Sequence, residues 1–171
     1  SVLSFISTGE YAGYQLVGMF DSDFGYGFIE RAHIPIFIPD RFKVERATLY
    51  LSLIPTYQLH YDQPLGFFHG KNLKLYKSYD SEDMCIILPF QSEVDMDIGL
   101  ADKIDITNDV FGINKISPTG DKAQIYSGDI TNHLQAGTRM FLTLETTDDF
   151  TDSYHHLGGA KFEIYVEGYK F

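Results

Sequence analysis

From Ala32 to Ile38 the side chains alternate: Ala32, Ile34, Ile36 and Ile38 fall on one face of an extended chain, and His33, Pro35 and Phe37 on the other. Pro39-Asp40-Arg41 supplies turn chemistry. The alternation then resumes, with Ala47, Leu49, Leu51 and Leu53 inward and Thr48, Tyr50 and Ser52 outward. Two strands are predicted. Pro35 cannot donate a ladder hydrogen bond, so the first of them belongs at a sheet edge, or turns that position outward at a bulge. Leu73 and Leu75 alternate with Lys74 and Tyr76, and "MCIILPF" is a longer apolar run suited to a strand covered on both faces. Met140, Leu142 and Leu144 alternate with Phe141, Thr143 and Glu145; Phe162, Ile164 and Val166 alternate with Glu163, Tyr165 and Glu167. Further strands around Tyr14 to Met19 and Lys122 to Tyr126 bring the expected number to about eight.

Helix signals are sparse. In "SGDITNHLQAG", Asp129 can cap a short helical turn that Gly137 ends in the left-handed conformation. "SEVDMDIGLADK" could hold a second, although Gly99 interrupts it. Many short strands with Gly- and Asp-rich connections predict an all-β fold: a two-sheet antiparallel sandwich, jelly-roll-like, with one short helix. No internal repeat, low-complexity tract or linker is read in the chain. Long connections at Pro55 to Gly70 and Gln91 to Gly120 are the expected carriers of a binding surface.

The length of 171 residues fits one domain over 1–171, large enough to bury a core without disulfide or metal staples. The single cysteine, Cys85, has no internal partner and reads as a small buried hydrophobe among its apolar neighbours. The start at Ser1, without Met or a basic leader, reads as a piece excised from a longer chain. A net charge of −11 opposes binding to nucleic acid or anionic membranes, and no apolar run is long enough for membrane insertion. Tyr and Phe, at 12 and 14 residues with no Trp, favour strands and supply amphipathic contact surface.

The order of segments resembles a known family. Arg31-Ala32 opens a strand, Ala47-Thr48-Leu49-Tyr50-Leu51 follows a short turn, and Asp129-Ile130-Thr131 precedes the penultimate strand. Over Arg31 to Tyr169 this is similar to the DNRLRE-type β-sandwich modules of bacterial surface and secreted proteins, and to sandwiches of phage tail and fibre proteins. The chain departs from that pattern in lacking Trp and in its acidic insert at 91 to 110. The resemblance implies an extracellular or virion location and a non-catalytic module that meets glycans, a cell-surface receptor or neighbouring subunits. It carries no catalytic residues over.

Candidate chemistry lies in the connections. Tyr61, Phe67 and Phe68, with Tyr57 and His69 beside them, could form a platform against a sugar face or a partner protein, or could pack their loop onto the sandwich. Glu93, Asp95, Asp97, Asp102, Asp105 and Asp109 are crowded enough to converge on a calcium ion, with Asp95, Asp97, Asp102 and Asp105 the candidate ligands; the alternative is a solvated acidic face. Their spacing is not that of an EF-hand. Asp148, Asp149, Asp152, His155 and His156 form a second polar cluster, while His33, His60, His69 and His133 lack zinc-ligand spacing. No other cofactor is implied. No nucleophile elbow, Walker A or dinucleotide fingerprint occurs, so an enzyme is not expected. Three roles stay open: recognition of a glycan or host surface, a structural spacer that assembles as a homo-oligomer such as a trimer, and a polysaccharide hydrolase with paired carboxylates.

Overall fold

The computed structural model describes residues 1–9, 13–21, 27–58, 73–79, 103–113, 116, 122–146 and 156–171. Among them are ten strands: β1 (Val2–Ile6), β2 (Gln15–Asp21), β3 (Gly27–Glu30), β4 (Ala32–Phe37), β5 (Phe42–Gln58), β6 (Leu73–Tyr79), β7 (Ile104–Asp105), β8 (Gln124–Asp129), β9 (Arg139–Thr146) and β10 (His156–Lys170). One sheet runs β3-β2-β10-β5-β8, with β1 also paired to β10; the other runs β4-β9-β6-β7. All of these strand pairs are antiparallel. The expected two-sheet sandwich is therefore the fold.

Period-two patterning explains the core. Ala47, Leu49, Leu51 and Leu53 of β5 and Phe162, Ile164 and Val166 of β10 are wholly buried, as are Ile36, Ile38, Met140, Leu142 and Leu144 from the facing sheet. Burying each large aliphatic or aromatic side chain is worth roughly 1.5–3 kcal/mol, which holds the two sheets together. β5 and β10 form the spine of the larger sheet, paired from Phe42 against Lys170 to Gln58 against His156. Two register shifts interrupt that ladder, and Pro55, which has no N–H to give, falls within one of them. β5 thus continues to Gln58, where the sequence suggested a loop from Pro55.

β4 lies at the edge of its sheet, as Pro35 requires. The side-chain amide of Gln15, from the other sheet, donates through Nε2 to the His33 carbonyl and accepts from the His33 N–H, each at 2.8 Å. Backbone groups two residues apart point the same way, so Pro35 meets that open edge at the position where it has nothing to donate.

Several expectations change. Phe141, Thr143 and Glu145 of β9 are also buried, and so are His33 of β4 and Arg31 just before it. Strict alternation therefore marks one buried face of the smaller sheet and misses that the other is also covered at its Arg31, His33 and Glu145 end, while Pro35, Phe37 and Arg139 stay exposed. The turn expected after Asp129 is a single 3₁₀ turn, Thr131–His133, and Gly137 does take a left-handed φ of 73°. An α-helix not anticipated from the pattern, α1 (Thr107–Phe111), follows β7. "MCIILPF", Cys85 and "SEVDMDIGLA" lie outside the described residues. No helix of the described residues is long and apolar enough to cross a membrane.

An internal repeat, not anticipated from the sequence, occurs once at the end of a strand in each sheet. Asp-Ile-Thr-Asn occurs at 105–108 and again at 129–132. In each copy the Asp Oδ1 accepts from the Thr hydroxyl at 2.6 Å and from the Thr N–H, at 2.9 Å for Thr107 and 2.8 Å for Thr131. The central Ile N–H bonds to a neighbouring strand carbonyl, Leu75 for Ile106 and Ala47 for Ile130, both at 2.9 Å. That same neighbour's N–H bonds back to the Thr hydroxyl, at 2.7 Å for Leu75 and 2.9 Å for Ala47. The short side chain of the Asp closes a local turn, and the buried Ile pins it to the core. Gly128 lets α1 approach: a Cβ there would stand 2.6 Å from the Val110 carbonyl oxygen.

Candidate functional site

Along β10, Lys161, Glu163, Tyr165, Glu167 and Tyr169 alternate with buried residues and so project from the outer face of the larger sheet. Register fixes their neighbours. Glu167 stands between Val2 and Arg46, Tyr165 between Ser4 and Thr48, and Glu163 between Ile6 and Tyr50. On the far side of β5, Asp129 flanks Thr48 and Ser127 flanks Tyr50.

The diagonal pair Tyr50 and Tyr165 packs edge to face, with ring centroids 5.9 Å apart and planes at 71°. The Tyr165 hydroxyl donates to Glu163 Oε2 at 3.3 Å, and Lys161 Nζ lies 3.7 Å from Glu163 Oε1. Tyr50, Glu163 and Tyr165, together with Val2, Arg46, Thr48 and Glu167, line a shallow cavity of about 470 Å³. The negative charge of Glu163 is the main cause that raises the Tyr165 phenol above its usual range, so the ring keeps its hydroxyl proton as a donor at neutral pH. Asp129 is held below the ordinary carboxylate range by its bonds from Thr131, with Arg46 adding to the effect. The face thus offers aromatic surface, two carboxylate acceptors and one guanidinium donor within a few ångströms of solvent.

A second polar group lies on the buried outer side of the smaller sheet. Arg31 Nε meets Glu145 Oε2 at 2.7 Å, and His33 Nδ1 pairs with Thr143 Oγ1 at 2.9 Å. Burial, with Arg31 nearby, lowers His33 from 6.5 to about 4, so the ring is neutral. At the 3₁₀ turn, Lys77 Nζ donates to His133 Nδ1 at 3.1 Å and His133 Nε2 donates to Asp109. This fixes one tautomer and ties β6 to α1, with no hydroxyl or thiol beside the ring in these bonds.

The sequence-predicted sites fare differently. Tyr57 lies in β5 opposite Leu157, on a strand where a loop was expected. Tyr61, Phe67, Phe68 and His69 lie outside the described residues, as do Asp95, Asp97 and Asp102. Asp105 ends β7, with Oδ1 engaged by Thr107 and Oδ2 3.8 Å from Lys74 Nζ. Among the described residues no group of three or more His, Cys, Asp and Glu is placed to hold a metal. His60, Asp148, Asp149, Asp152 and His155 are likewise outside them. The sheet-face group of Arg46, Tyr50, Glu163, Tyr165 and Glu167 was not assigned from sequence. Its signal was the outward phase of two tyrosines; what joins them is a strand pairing across more than a hundred residues.

No protein-family model matches the chain, and no curated protein matches it.

Proposed function

We propose that this domain is a non-catalytic recognition module that binds a saccharide on the outer face of its larger sheet. The observation that carries the reading is the Tyr50–Tyr165 pair set among Glu163, Glu167 and Arg46 over an open cavity. Tyrosine rings give apolar surface for the C–H face of a sugar, and carboxylates and a guanidinium satisfy its hydroxyls. The resemblance to DNRLRE-type and phage-tail sandwiches supports a place on a cell surface or virion. A hydrolase is less well served by this face. Glu163 and Glu167 are four residues apart on one strand, so their Cα atoms are about 13 Å apart with Tyr165 between them. Glycosidase carboxyls work across roughly 5–9.5 Å.

A glycan array probed with the wild-type domain should give defined sugar binding that Tyr50→Ala and Tyr165→Ala each weaken at least tenfold, with both variants still folded at the assay temperature by circular dichroism. A tenfold loss corresponds to about 1.4 kcal/mol. A wild-type domain silent across the array would sink the reading. The alternative is assembly with neighbouring subunits, favoured by the exposed Val2, Ile6 and Ile125 at 64%, 56% and 71% on the same face. Light scattering reporting an oligomer that dissociates on Ile125→Lys would support it instead.

A further inference from the structure

We infer that the ligand is an uncharged polysaccharide chain lying lengthwise along β10, with Tyr169 forming a subsite beyond the Tyr50–Tyr165 cavity. This rests on the saccharide reading above and specifies the length and charge of what is bound. β10 keeps its alternation past the cavity: Gly168 is buried and Tyr169 is 49% exposed beside Lys43, on the same outer face as Glu167. Aromatic, acid, aromatic and acid therefore recur from Tyr169 to Glu163 at about 6.6 Å per step. A terminal-sugar site closes around one unit. Here Tyr169 is half exposed past the cavity, and ring and carboxylate repeat beyond the first contact.

The charges select the ligand's chemistry. On this face Glu163, Glu167, Asp129 and the exposed Glu45 stand among Lys161, Arg46 and Lys43, so it carries no cationic field to attract a polyanion. At longer range the chain's net −11 repels uronate and sulfated polymers. Uncharged chains meet neither barrier.

The test is calorimetric titration of the whole domain with neutral glucan, xylan, mannan, galactan and poly-N-acetylglucosamine oligomers of one to six units, and with oligogalacturonate of the same lengths. For the neutral series that binds, the hexamer should bind at least tenfold more tightly than the dimer. Tyr169→Ala should erase that gain while leaving dimer affinity within twofold, and oligogalacturonate should give no heat. Tyr169 is half exposed, and a matched melting temperature confirms that the variant is folded. Affinity that is flat with length, a hexamer affinity unmoved by Tyr169→Ala, or tighter binding of galacturonate would overturn the inference while leaving saccharide recognition standing. Silence of every series together with a silent glycan array would overturn both.

Discussion

His33 has an imidazole packed onto a sheet face where Arg31 is 2% exposed and Glu145 5%. Its folded pKa of about 4 lies below the 6.5 of an exposed ring, so between those values the unfolded chain binds the extra proton. Stability from this group is complete above pH 6.5 and is lost as pH falls toward 4, by about 3 kcal/mol for a shift of that size. Urea unfolding at pH 7 and pH 4.5 should therefore give wild type a steeper loss than His33→Asn; parallel losses would mean the ring is not buried as described. Of this face, little was legible in the sequence. Alternation correctly placed Ile34, Ile36, Leu142 and Leu144 inward, but it marks the opposite phase as polar and cannot say that the polar phase is also covered. Tyr50 and Tyr165 were legible as outward residues, and their meeting was not, because it depends on which strands pair.

At the scale of elements, the duplicated Asp-Ile-Thr turn is a self-contained device that ends a strand, starts a short helix and clips both to the next strand. Thr107→Val removes the acceptor for the Leu75 N–H and the hydroxyl donor to Asp105 at a buried site, leaving the backbone N–H bond to Asp105, and should cost about 1–3 kcal/mol. Thr131→Val at the less buried Ala47 copy should cost less, and a Ser in either place should restore most of the loss. Urea midpoints for the four variants check this; equal stability of Thr107→Val and wild type would remove the turn from the list of stabilising features. The motif is short enough that a reading by hydrophobic period passes over it. α1 escaped for a related reason: five residues make too few turns for a 3.6-residue period to register.

For the whole molecule, one apolar cluster draws on both sheets, from Leu49 and Ile164 on one to Ile34 and Leu142 on the other. Neither sheet can lose its partner without exposing that surface, so near- and far-ultraviolet circular dichroism should report one coincident thermal transition. Two separated transitions would show that the sheets unfold independently. The spine pairs residues 42–58 with 156–170, contacts distant in sequence that predict slow folding. The all-β class and two-sheet packing were legible because they rest on alternation repeated in many segments. Strand order was not, since each strand's pattern is compatible with several neighbours. During slow folding the open side of β4 is a template on which a second chain could add a strand. Gln15 occupies that side at His33, and Pro35 withholds a donor two residues on. The folded protein thereby carries its own block against edge-to-edge pairing at β4, set by the Gln15 amide and by Pro35.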